Sequence, residues 1–261
     1  MSDDVLQSVT DRPLTVLVTG SAGAIGRAVA PALVKRGHRV RGLDRQASDL
    51  LDDEHVGDLA DRAAVDAAFD GVDAAIHLAA CPDAHGDFID DLLRPNFIGL
   101  YHVLEAARAV KIQRLVLASS IMTVDGVEHP GRPLRPEDGV APMCHYALSK
   151  VYAEEAGRMY ARLHGMSVLA VRIGWYPRGA FRISHLGRWR GSPHYLSPGD
   201  AARFFIHAIE APHVPGHFAV LFASSKVEDE PRYDPQPARD LIGYEGRDVF
   251  PAGCTIREDD A

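Results

Sequence analysis

The stretch Leu14–Gly26, LTVLVTGSAGAIG, decides the fold. Leu14–Thr19 is a short unbroken apolar run, the pattern of a parallel strand buried on both faces. It runs straight into glycines at positions 20, 23 and 26. Gly20 permits a tight strand-to-helix turn, Gly23 leaves the backbone bare for a diphosphate, and Gly26 lets the following helix pack closely. From Ala24 to Arg36 the apolar residues Ile25, Val29, Leu33 and Val34 fall at helical spacing, and Gly37 ends the run. A strand, a glycine turn and a helix in that order offer free N–H groups and a positive dipole end to an anion. Gly20, Ala22, Gly23, Ala24, Ile25 and Gly26 are therefore the candidate diphosphate cradle.

The next strand, Arg39–Asp44, ends on an acid. A carboxylate there accepts hydrogen bonds from the ribose 2′- and 3′-hydroxyls and repels a 2′-phosphate, which predicts NAD over NADP. Arg45 beside it is a candidate phosphate holder and argues the other way. Asp58 and Leu59 stand where a third strand would end, next to the adenine; capping a following helix is the competing role for Asp58. Further apolar strands at Asp73–Leu78, Arg114–Ser119 and Ser167–Arg172 alternate with helical stretches at Phe97–Ala109 and Tyr146–Leu163. This alternation predicts an α/β fold, a Rossmann-type doubly wound parallel sheet with a small C-terminal substrate-side region. Residues 1–172 form the dinucleotide-binding domain in this reading, and 173–261 the substrate-binding region interleaved with it. Beyond Gly174 only the helix Pro198–Ala211 and the strand His217–Phe222 are readable, and the polar tail after Ser225 carries no predicted element.

Composition narrows the class. The 261 residues are 46% hydrophobic and 25% charged, with a formal net charge of −8, so no basic field invites nucleic acid or a membrane surface. The opening residues Met1–Pro13 lack the apolar core of a signal peptide, and no apolar run is long enough to span a bilayer. Cys81, Cys144 and Cys254 form no paired spacing, which fits a reducing, cytoplasmic setting. The histidines show no metal-ligand spacing, so no metal is expected. His77 reads as a core histidine.

Tyr146 and Lys150 lie four residues apart in YALSK, on one helix face. A phenol is a poor base near neutrality, but neighbouring cations favour the phenolate, which can then take a hydroxyl proton while hydride leaves to a nicotinamide. Ser119 and Ser120 end the strand RLVLASS, and strand ends of this kind face the ligand crevice. Ser120 is the chosen hydroxyl for holding the substrate oxygen.

TGSAGAIG, Asp44, the Asp58-Leu59 pair, HLAA at 77–80, the strand-end serines and YALSK together resemble the extended short-chain dehydrogenase/reductase family, the NAD-dependent epimerase/dehydratases. The resemblance covers about residues 14–225 and implies Ser120, Tyr146 and Lys150 as the catalytic trio. It also implies that Leu78, Ala79 and Ala80 lie against the cofactor, Asn96 near the lysine and Ile173 beside the nicotinamide. It implies a homodimer joined through Phe97–Ala109 and Val151–Leu163. Within the family the chain is most similar to uronate dehydrogenases and small sugar-dehydrogenase relatives. It departs from their sugar-reading residues: Ile121 and Met122 replace Asn-His, Trp175 and Tyr176 replace two serines, and Pro82 replaces a polar residue. Arg182 matches the arginine that grips the carboxylate.

These readings predict an NAD-dependent oxidoreductase acting on a secondary alcohol or hemiacetal of a small anionic substrate, with Arg182 facing an apolar wall of Ile121, Met122 and Trp175. A nucleotide-sugar epimerase or dehydratase with retained NAD is the alternative, although only a short C-terminal region follows the sixth strand. A non-catalytic NAD sensor has no need for a tyrosine–lysine pair. The run of Arg178, Arg182, Arg188 and Arg190 among aromatics suits either an anion on an apolar body or a solvated basic loop. Cys81 and Cys144 read as small packing residues near the crevice.

Overall fold

The apolar run becomes strand β1 (Thr15–Thr19), at the heart of a seven-stranded sheet. The computed structural model describes residues 12–128, 130–179, 181–182, 193–212, 214–228 and 230–257. Around β1 stand β2 (Arg39–Asp44), β3 (Asp53–Val56), β4 (Ala74–His77), β5 (Arg114–Ser120) and β6 (Val168–Ile173). A short strand β7 (Phe181–Arg182) pairs with β9 (Ile256–Arg257) in a separate sheet, and β8 (Phe218–Ala223) closes the main one. The main order is β3-β2-β1-β4-β5-β6-β8, every pairing parallel. Strand order reverses between β1 and β4, and such a switch point opens a crevice at the strands' carboxyl ends.

Helices cover both faces because strands buried on two sides need two apolar covers. One core joins α1 (Gly26–Arg36) and α5 (Pro198–Glu210) to Val16, Val18, Ile76 and Leu169. The other joins α2 (Arg62–Phe69), α3 (Leu100–Ala109) and α4 (His145–His164) to Leu17, Ala75, Leu115 and Val168. The C-terminal stretch thus supplies α5, β8 and the helix α6 (Gln236–Ile242), and β8 lies directly on β6. Among the described residues no helix is long and apolar enough to cross a membrane.

Besides the short strands β7 and β9, two elements differ from the sequence expectation. The helix expected from Phe97 begins nine residues earlier, as a π-type segment Phe88–Gly99 that continues into α3. Pro95 inside it has no N–H to give, and wider turns accommodate that loss. The Asp87 carboxylate caps its start, accepting from Ile89 N at 2.8 Å and Asp90 N at 2.9 Å. In the tail, α6 forms where no element was expected. Proline near its first turn and Gly243 at φ 69° after its last are the ordinary helix boundary signals.

Helix α4 is locked to the sheet through buried charge. Glu154 accepts a bidentate pair from Arg172 of β6, at 2.9 Å for both Nε and Nη2, and also accepts the Ser119 hydroxyl of β5. Both charged side chains are only 3% exposed. Removing one member of such a pair leaves a buried charge without compensation. Arg172→Met is accordingly expected to lower the unfolding free energy by about 3–5 kcal/mol in denaturant titration, and adding Glu154→Leu to recover more than half of it.

Candidate active site

The crevice at the switch point consists of two adjoining clefts. The first, about 510 Å³, is lined by Gly20, Ala22, Gly23, Ala24, Ile25, Gly26, Asp44, Arg45, Asp58, Leu59, Leu78, Ala79 and Ala80, among others. It therefore gathers the whole expected cradle, the acid after β2 and the residues after β4. The glycines earn their places by contact. A Cβ on Gly26 would lie 2.2 Å from the Gly20 carbonyl oxygen, and one on Gly20 (φ +75°) would lie 2.8 Å from Ala79 N. Gly26 thus lets the helix start fold onto its own turn, a closer neighbour than the strand that the sequence suggested. A Cβ at Gly23 would press on the same carbonyl at 3.1 Å.

Asp44 holds this turn in place. Its Oδ2 accepts from Ala22 N and its Oδ1 from Gln46 N, both at 3.1 Å. The carboxylate faces the cleft with lone pairs left over for ribose hydroxyls, since each oxygen accepts about two bonds. A bare glycine cradle beneath an acid fits a dinucleotide. Asp58 also faces the cleft, with Oδ1 on Ala60 N at 2.8 Å and Arg94 3.6 Å from Oδ2. It does not cap α2; Asp61 does, accepting from Ala63 and Ala64.

The second cleft, about 480 Å³, is lined by Ser119, Ser120, Ile121, Met122, Tyr146, Lys150, Ile173, Trp175, Tyr176 and Arg178, among others. Ile25, Leu78, Ala80, Pro82 and Arg178 belong to both linings, so the clefts are continuous. Tyr146 and Lys150 are buried on the first turns of α4, whose start the Cys144 sulfur caps by accepting from Ala147 N at 3.5 Å. The Lys150 ammonium donates to the Ala118 carbonyl at 3.0 Å and stands 5.7 Å from the centre of the Tyr146 ring. Burial pulls Lys150 down to about 8, and the Arg178 charge adds to that. Burial also raises the Tyr146 phenol above the ordinary tyrosine range, against the pull of the Ser120 hydroxyl and of Arg178. The protein's own groups thus hold the phenol protonated, and the lowering expected from the sequence draws on the charge of a nicotinamide as well as on the lysine.

Of the two strand-end hydroxyls, Ser119 is engaged by Glu154, whereas Ser120 acts on Tyr146. Asn96 is not part of either lining. Its amide is used up between Cys81 O at 3.1 Å, Ser149 Oγ at 3.0 Å and Cys81 N at 2.8 Å, which ties the loop after β4 to α4. His77 is buried, shares a hydrogen bond with Thr19 Oγ1 at 2.8 Å, and is pushed down to about 3 by burial and by Lys150, so it stays neutral. Cys81 lines the first cleft. The Arg182 side chain lies outside the described residues, as do Arg188 and Arg190. Arg178 is the arginine of that run which the structure brings into the crevice. Its sequence signal, a position shortly after the sixth strand, was shared with its neighbours.

A doubly wound sheet with a glycine cradle at its switch point defines the class: this is an NAD-dependent oxidoreductase. The chain belongs to the NAD dependent epimerase/dehydratase family, whose model matches residues 16–175. It is 32% identical to the L-arabinose 1-dehydrogenase (NAD(P)(+)) of Haloferax volcanii over 250 residues, 89% of this chain and 96% of that one. It is likewise 32% identical to the uronate dehydrogenase of Pseudomonas putida, over 61% of this chain and 60% of that one. Among solved structures, a mutant uronate dehydrogenase from Agrobacterium tumefaciens complexed with NAD superposes with a TM-score of 0.77 at 27% identity, covering 91% of this chain and 86% of that one.

Proposed function

We propose that the enzyme oxidises a secondary alcohol or hemiacetal carbon, with Tyr146 as general base, Lys150 and Ser120 in support, and the glycine-lined cleft as the NAD site. One observation carries this reading: Ser120, Tyr146 and Lys150 line a cleft that opens into the glycine cradle. NAD, when bound, supplies the hydride acceptor and a positive charge that favours the phenolate. Ser120 holds the substrate oxygen and shares its proton with the Tyr146 phenol. Lys150, held by the Ala118 carbonyl, keeps a positive charge beneath that ring and stabilises the phenolate. Asp44 selects the unphosphorylated ribose, and Ile173 and Leu78 wall the ring end of the cofactor. Tyr146→Phe removes the base and keeps the ring, so turnover is expected to fall about 10²–10⁴-fold while NAD affinity stays. Unchanged turnover in NADH absorbance assays overturns the mechanism.

The substrate's body meets Ile121, Met122, Trp175 and Pro82. These side chains leave buried sugar hydroxyls unpartnered, apart from the Trp175 ring N–H, and an unpaired polar group is costly. Galacturonate and glucuronate are thus expected to be poor substrates, and Ile121→Asn with Met122→His to improve them. Efficient oxidation of either uronate by the wild type returns the assignment to a plain uronate dehydrogenase.

The enzyme works as a cytoplasmic homodimer in this reading. Tyr101 on α3 and Leu148, Tyr152 and Met159 on α4 are 42–50% exposed, an apolar face that a second copy would cover. Light scattering at micromolar concentration should give twice the chain mass, and a monomer mass rules the dimer out.

A further inference from the structure

The chain beyond β6 is pinned on two sides before it reaches Arg178. Trp175 donates its backbone N–H to the His194 carbonyl and accepts from Leu196 N at 2.8 Å. The Tyr176 phenol donates to the Ala24 carbonyl at 3.1 Å, in the first turn after the glycines. Two residues further on, Arg178 joins the linings of both clefts, and the other shared residues, Ile25, Leu78, Ala80 and Pro82, are all apolar. Among the described residues the second cleft has one other charged side chain, Lys150, whose buried ammonium already bonds to Ala118. Arg178 stays exposed, and among the described residues no carboxylate lies within ion-pair distance of it. An arginine fork at the mouth of an apolar cleft is a strong partner for a carboxylate.

We propose that Arg178 binds a carboxylate carried next to the substrate's reacting carbon, so that the preferred substrates are hydroxy acids with an apolar body. This rests on the dehydrogenase reading above. The position of the charge decides between near and distant anions. Arg178 lines the same cleft as Ser120, Tyr146 and Lys150, so its guanidinium shares the space in which the proton is handled in that reading. In a uronate the ring oxygen and C5 stand between the anomeric carbon and the carboxylate, which sets the charge further from the reacting carbon than in a 2-hydroxy acid. The cofactor's diphosphate, for its part, has the N–H groups of the glycine turn. The apolar linings of Ile121, Met122 and Trp175 then take the remainder of the acid.

The test uses the full chain with NAD and three acids, mandelate, 3-phenyllactate and 2-hydroxybutyrate, each beside its amide. Wild type is expected to prefer at least one acid over its amide by tenfold or more in kcat/KM. Arg178→Gln should raise the KM for that acid about 10–100-fold, the worth of one charge-assisted pair, and erase the preference. Arg178→Lys should restore part of it. The pH profile of kcat/KM should also move its basic requirement to higher pH in Arg178→Gln, because the charge that lowers Tyr146 is gone. A wild type inert towards every acid, or equally active on acid and amide, overturns the proposal. So does an Arg178→Gln variant that weakens NAD binding in fluorescence titration and leaves the preference intact, which assigns the arginine to the diphosphate. Unchanged turnover in Tyr146→Phe marks a separate failure, that of the dehydrogenase reading itself.

Discussion

A carboxylate buried between one helix and two strands fixes where Ser120, Tyr146 and Lys150 stand. Glu154 follows Lys150 by four residues and Tyr146 by eight, so all three share a face of α4. Its bonds to Arg172 and Ser119 hold that face against β5 and β6 at one height. Helix packing on apolar residues tolerates small slides, because the hydrophobic effect has little direction. A bidentate ion pair has a single good geometry. The phenol, the ammonium and the strand-end serine thereby keep a fixed relation, although they come from distant parts of the chain.

The cofactor side rests on close approach of backbone. Gly20 meets the loop after β4, and Gly26 folds the start of α1 onto the turn that precedes it. Asp44 then anchors the turn from the neighbouring strand. The three strands whose ends frame the crevice are thus joined through their loops as well as through the sheet. The electrostatic setting is divided accordingly. Asp44 lies in the first cleft, Lys150 lies in the second, and Arg178 lines both.

The sheet was legible in the sequence because buried parallel strands are nearly continuous apolar runs, and β1, β2, β5 and β6 agree with those runs to within a residue or so. The cradle was legible because Gly23 and Gly26 are demanded by contacts within a few residues, and Gly20 by its own left-handed φ of 75°. What was not legible depended on partners remote in the chain. Pro95 hid the first part of the helix before α3, since a proline inside a helix is tolerated only when the surrounding turns widen. Asn96 looked like a residue near the cofactor, and its three bonds to Cys81 and Ser149 could be known only from the fold. The arginines after β6 were indistinguishable as a run. The pins at Trp175 and Tyr176 hold the chain just before Arg178, and neither pin has a local sequence signature.

The bond from Tyr176 to the Ala24 carbonyl has a bearing on how this scaffold can diverge. The segment after β6, which lines the second cleft, is stapled to the glycine turn that lines the first, so the two clefts share a wall. A lineage changing its substrate by substitution near Tyr176 also alters the support of its own coenzyme turn. Such changes survive selection only in combinations that re-satisfy that carbonyl. Drift in specificity should therefore proceed more freely along Ile121 and Met122, at the exit of strand five, than along the strand-six exit, where each step is tied to the glycine turn.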